Sequence, residues 1–188
     1  MLTFRQFRIG SDRLAQRLTQ VQFRLAQHDD LPHIERLRQE RWVLLCQSDG
    51  RFRQQQPGDI RAWLTSPECD LWVGAKQSEG EASALAGIIG YVTAWHTTSP
   101  YGRLPDDMGL IDELALDAHQ YHAGLGRGLV ERARHELNAR QKRHIIACVP
   151  RYHAVEQAFW RALGAVEWEA EAPTLPLSAP PTSIWMAL

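Results

Sequence analysis

The sequence predicts a mixed α/β (α+β) fold with a central mixed, mostly antiparallel sheet flanked by helices. Three observations carry that expectation. Strand-length apolar or alternating segments dominate the chain before residue 118, whereas Leu125, Leu129, Ala133 and Leu137 then recur every fourth residue, and the short apolar run HIIACV follows at 144–149. Side chains return to one face every two residues in a strand and about every 3.6 in a helix. The change of period therefore marks strands, a crossover helix and a further strand.

Taken in order, Val21, Phe23 and Leu25 alternate with polar residues as a strand does. Asp29 or Asp30 then offers an N-cap for a helix through Ile34, Leu37 and Trp42. Beyond the polar loop 48–56, Pro57 and Gly58 open a shorter helix with Ile60, Trp63 and Leu64, which Pro67 ends. DLWVGAK at 70–76 and ALAGIIGYVTAWHT at 84–97 form a hairpin, and MGLIDELALD at 108–117 adds a third strand in meander order. The crossover helix spans 124–141, a second helix runs from Ala154 to Leu163, and Gly164 stops it. Val166–Glu171 and Ser183–Leu188 close the chain as two more strands. The strands either side of the crossover helix are expected to be parallel.

A length of 188 residues fits one domain, 21–188, with an N-terminal extension over 1–20. A hydrophobic share of 44% and a charged share of 23% exclude wholesale disorder. A net charge of −1 leaves no global field for a nucleic-acid binder that works by counterion release. Apolar runs of membrane length are absent, and MLTFRQFRIG lacks the core of a signal peptide. Cys46, Cys69 and Cys148 are odd in number and far apart, and the histidines lack the i, i+4 spacing of a zinc helix. The expectation is a cytoplasmic protein without a metal and without a nucleic-acid or membrane partner.

The segment richest in chemistry is LALDAHQYHAGLGRGL, residues 114–129, where a strand ends and glycines open a helix. First-turn amides have no helical partner and stand at the positive end of the macrodipole, so such a junction binds anions. Gly124, Gly126 and Gly128 are expected to let a ligand approach. A Rossmann fingerprint would begin a doubly wound chain, and a Walker loop would need Lys where Arg127 stands.

This segment resembles the acetyl-CoA-binding motif of the GNAT family of N-acetyltransferases. Leu114-Ala115-Leu116 stands for the strand end, Ala118 for a common proline, and Gly124-Leu125-Gly126 for the glycine turn. The element order from Val21 to Leu188 is similar to the family fold. The resemblance implies acetyl-CoA as cosubstrate, with amides of His122, Ala123, Gly124, Leu125, Gly126 and Arg127 around its pyrophosphate and Tyr121 at the position of a side-chain contact to the coenzyme. It also implies that the backbone of Leu114, Ala115 and Leu116 lies along the pantetheine arm, with the Arg127 charge near a phosphate or in solvent. Tyr121 departs from the family's Arg or Gln.

Acetyl transfer to an amine needs a base, a carbonyl-polarising donor and a proton for the leaving thiolate. The family places a carboxylate on the strand before the coenzyme loop, where Asp112 and Glu113 stand. Strand alternation sends the two to opposite faces, and Ile111-Asp112-Glu113-Leu114 resembles a motif of aminoglycoside-modifying members, which favours Asp112. The family's proton-donating tyrosine falls on Trp160, and a coenzyme-touching asparagine on His153, which either meets pantetheine or caps its helix. Tyr152, ahead of Tyr121, is the nearest substitute hydroxyl in sequence, and a thiolate can also take its proton from solvent, so neither tyrosine is expected to be essential. Cys148 reads as a small core residue. Trp42, Phe52, Trp63, Trp95 and Tyr101 are expected around an acceptor pocket between 30–66 and 97–109. The function implied is acetyl transfer to an amine of a small molecule or protein, with a possible homodimer; the alternative is an acetyl-CoA-binding sensor that has lost turnover.

Overall fold

A computed structural model describes residues 21–55, 57–76, 87–120, 124–168 and 180–188. The N-terminal extension 1–20 lies outside them. Seven strands form one open sheet in the order β1-β2-β3-β6-β7-β9-β8. They are β1 (Val21–Leu25), β2 (Cys69–Lys76), β3 (Ile88–Trp95), β6 (Met108–Leu116), β7 (His144–Pro150), β8 (Val166–Glu167) and β9 (Ser183–Ala187). Two further two-residue strands, β4 (Thr98–Ser99) and β5 (Gly102–Arg103), make a small hairpin within the expected loop. All pairs in the sheet are antiparallel except β6 with β7, which the crossover helix joins.

The helices are α1 (Leu31–Ser48), α2 (Ile60–Thr65), α3 (Leu125–Ala139) and α4 (Ala154–Ala162). Asp30 precedes α1, but its side chain does not cap it. Its carboxylate instead takes two hydrogen bonds from Arg24 and one from the Gln27 amide. Asp59 caps α2 through the Arg61 amide, so that helix starts after Pro57 and Gly58. Leu25, the last residue of the edge strand β1, is exposed.

Strand alternation splits the core between the two faces of the sheet. One face carries Trp72, Val92, Ile111, Ala147 and Val149, covered by Leu125, Leu129, Ala133 and Leu137 of α3 and by Trp160 of α4. The other carries Val73, Tyr91 and Ala115 under Leu31, Ile34 and Leu37 of α1. Farther along this second face, Leu110, Ile146, Cys148 and Trp185 pack with Leu104 and Tyr101 beside the small hairpin. Helices α1 and α4 thus lie on opposite sides of the sheet.

Candidate active site

The site grows from two irregularities in β6. The first is a β-bulge against β3: Val92 pairs with Leu114 and Ala94 with Ile111, so Asp112 and Glu113 together face Thr93. The Thr93 hydroxyl accepts a hydrogen bond from the Glu113 amide at 2.9 Å. Two residues opposite one break the alternation, and both carboxylates line one cavity on the α1 side. The expectation of opposite faces is corrected here. Alternation resumes afterwards, with Leu114 and Leu116 against the α3 core and Ala115 in the α1 core.

The second irregularity is a parting of strands. Pairing of β6 with β7 ends at Ile111 and Ala147, although β6 runs on to Leu116 and β7 to Pro150. The facing edges of 112–116 and 148–150 make no ladder with each other, which opens the sheet from one face to the other.

The two carboxylates have different partners. Arg38 of α1 donates to both Glu113 oxygens, at 2.9 Å from Nε to Oε2 and 2.7 Å from Nη2 to Oε1, and the buried Tyr91 hydroxyl donates at 2.7 Å. Glu113 is therefore a fixed, charge-paired anchor. Asp112 is 7% exposed and takes one hydrogen bond, from the Tyr101 hydroxyl at 2.6 Å. Burial and the neighbouring Glu113 charge raise its carboxyl to about 7, against the pull of that hydrogen bond. The Cys148 thiol donates to the Tyr101 oxygen at 3.6 Å. Burial also pushes Tyr101 and Cys148 well up, so both are neutral at physiological pH. Thiol, phenol and carboxyl form one line of transferable protons.

The cavity measures about 350 Å³. Trp42, Phe52, Trp63 and Tyr101 line it as expected, whereas Trp95 is buried and braces Trp63 edge-on at 5.4 Å between centroids. Arg38, Arg41, Trp42 and Leu45 are spaced i, i+3, i+4 and i+7, which places them on one face of α1. Arg41, a lining residue, pairs with Glu156 of α4 at 3.1 Å, with side-chain exposures of 15% and 20%. Because α1 and α4 occupy opposite faces, and α1 lies over β3 and β6 while α4 lies over β7, this ion pair runs from one face of the sheet to the other.

On the other face, the same opening meets the start of α3. Gly124 holds φ at 74°, no side chain caps the helix, and its first bond runs from the Gly128 amide to the Gly124 carbonyl. The amides of Leu125, Gly126 and Arg127, at the start of α3, thus have no partner among the described residues. Gly126 and Gly128 serve packing: a Cβ would lie 3.1 Å from Leu116 and Phe159 at the first, and 2.5 Å from Phe23 at the second. Free strand edges at Leu114, Ala115 and Leu116 beside three free amides fit an extended chain ending in a phosphate. Tyr121, His122 and Ala123 lie outside the described residues.

Several expected contacts are placed elsewhere. Arg127 turns its guanidinium to the Ala162 carbonyl and towards Glu131, along the helices. Trp160 is 2% exposed within the core, edge-on to Phe159, so it turns away from any groove. His153 caps α4, its Nδ1 accepting from the Glu156 amide at 3.2 Å. Tyr152 is 58% exposed and lies under the Arg51 guanidinium rather than at the cavity. The hydroxyl that reaches Asp112 is that of Tyr101, on the small hairpin.

The chain belongs to the acetyltransferase (GNAT) family, whose model matches residues 31–165, from the start of α1 to just beyond α4. Members of this family transfer acyl groups from acetyl-CoA. No curated protein matches the chain. Among solved structures, it is similar to an acetyltransferase from Streptococcus agalactiae at 12% identity, covering 89% of this chain and 97% of that one with a TM-score of 0.66. The PaiA N-acetyltransferase of Thermoplasma acidophilum, in complex with coenzyme A, gives 12% identity, the same coverage and a TM-score of 0.61. The ribosomal-protein-S18-alanine N-acetyltransferase of Escherichia coli gives 18%, 89% and 92% coverage, and 0.56. These likenesses are of fold. No helix among the described residues is long and apolar enough to cross a membrane.

Proposed function

We propose that this protein transfers an acetyl group from acetyl-CoA to a primary amine by direct attack, with Asp112 as the base. One observation carries this reading: a cavity holding a carboxyl raised to about 7 is lined from both sides of the strand parting, by Asp112 and Glu113 of β6 and by Cys148 and Pro150 of β7. Residues Leu114–Leu116 would lie along the pantetheine arm, and the amides of Leu125, Gly126 and Arg127 would hold the pyrophosphate. The coenzyme, when bound, supplies an activated acyl group on a good thiolate leaving group.

The chain's own contribution is proton handling. A carboxylate near pH 7 accepts an ammonium proton with little driving-force penalty, and Asp112 has that character. Tyr101 fixes its orientation and extends the hydrogen-bonded line to Cys148, the first β7 residue beyond the parting. The sensor alternative was motivated by Trp160 in place of an acid. Tyr101 supplies a hydroxyl near the opening, which supports turnover over a silent binding module.

The test is release of free thiol from acetyl-CoA across a panel of primary amines. Asp112 acts ionised, so kcat/KM is expected to rise with pH and level off above about 7. Tyr101→Phe should lower turnover by roughly tenfold or more and shift that limb, whereas Tyr152→Phe should leave both close to wild type. A shifted limb in Tyr152→Phe alone would move the proton-handling role to that residue.

A further inference from the structure

We propose that the acceptor is a small primary amine on a flat or aliphatic body without a carboxylate, and that the Arg41–Glu156 pair enforces this choice. The proposal rests on the acetyl-transfer reading and names the substrate class of the same site. Its basis is the charge and shape of the cavity.

Among the described residues, three charged side chains line the cavity: Arg41, Asp112 and Glu113. Two are spoken for. Glu113 is matched by Arg38 at 2.7 Å and Arg41 by Glu156 at 3.1 Å, whereas Asp112 has no cation partner among the described residues. The unmatched charge is therefore negative, and it suits one ammonium group. An acceptor carboxylate would sit beside Asp112 and Glu113 with no free cation, since Arg41 is already turned through the sheet towards α4. An uncompensated charge against aromatic walls and two carboxylates is costly.

The walls define the rest of the ligand. Each of three lining rings is braced edge-on by another: Trp42 by Phe52 at 5.8 Å, Trp63 by Trp95 at 5.4 Å and Tyr101 by Trp185 at 5.4 Å. The cavity thus presents fixed aromatic surfaces, which attract both flat apolar groups and an ammonium. Its volume, about 350 Å³, lies at the small end of ligand cavities. One compact amine fits.

Calorimetric titration of the protein saturated with coenzyme A, at pH 8, tests the proposal with 2-phenylethylamine and phenylalanine, which differ by a carboxylate. The expected result is at least about 100-fold tighter binding of 2-phenylethylamine. Glu156→Gln releases Arg41 from its partner and should narrow that ratio by about tenfold, whereas Arg41→Gln should not narrow it. Equal binding of the two compounds, binding of neither, or preference for phenylalanine overturns the substrate class. An unchanged ratio in a folded Glu156→Gln variant overturns the role of the ion pair. Thiol release is measured separately, so loss of the substrate class leaves acetyl transfer standing where other amines react. Absence of turnover with an intact binding ratio does the reverse.

Discussion

Replacing Asp112 with asparagine is expected to lower turnover by about 10²-fold or more, with coenzyme affinity unchanged. The amide keeps the size of the side chain and its bond from Tyr101 but cannot take a proton from an ammonium. Glu113→Gln should behave differently, because Glu113 anchors Arg38 and Tyr91. Breaking one side of a buried ion pair costs roughly 3–5 kcal/mol, so its effect belongs mainly in stability. Steady-state kinetics beside denaturant unfolding separates the two variants. A second readout is independent of activity. The folded carboxyl of Asp112 titrates above its ordinary value of 3.8, so between there and about 7 the folded state binds more protons than the unfolded one. Stability contributed by this group is thus lost as pH rises through that window, and Asp112→Asn should flatten the slope. A slower Glu113→Gln with an unaffected Asp112→Asn would reassign the base.

Gly124→Val is the second large effect. Coenzyme affinity is expected to fall by at least about tenfold, or 1.4 kcal/mol, by calorimetry. Gly124 has φ of 74°, where a β-branched residue is strained. The cost in the folded state is therefore about 1–2 kcal/mol on top of the binding loss. Gly124→Ala carries less bulk with the same backbone demand, and should fall between the two. Full affinity in a folded Gly124→Val protein would remove the start of α3 from the coenzyme site.

The periodic parts of this chain were legible as sequence. The four-residue repeat of α3 and the apolar runs of β2, β3, β6 and β7 located the main elements to within a few residues. The parallel pairing followed from the intervening helix. The site was legible only as residue types. Nothing in Ile111-Asp112-Glu113-Leu114 announces that two residues oppose Thr93, because a bulge is a property of two strands in register. Strict alternation therefore separated carboxylates that share a cavity. Tyr101 was read as a wall and missed as a partner, since its hairpin folds the hydroxyl onto a residue eleven positions later. Arg38 and Arg41 were lost among many arginines. Their spacing with Trp42 and Leu45 was the available signal, one helix face mixing guanidinium and aromatic groups. Trp160 was placed by motif position, which fixes where a residue falls on α4 but not which way it turns, and Tyr152 was chosen only as a near hydroxyl in sequence.

The most direct measurement supplies acetyl-CoA and 2-phenylethylamine to the wild-type protein and to Asp112→Asn, and quantifies free thiol and N-acetyl product in one sample. The account predicts equal amounts of the two products with wild type, and loss of both with coenzyme still bound in the variant. Tight coenzyme binding by wild type, with no thiol released beside this or any other primary amine, would contradict it.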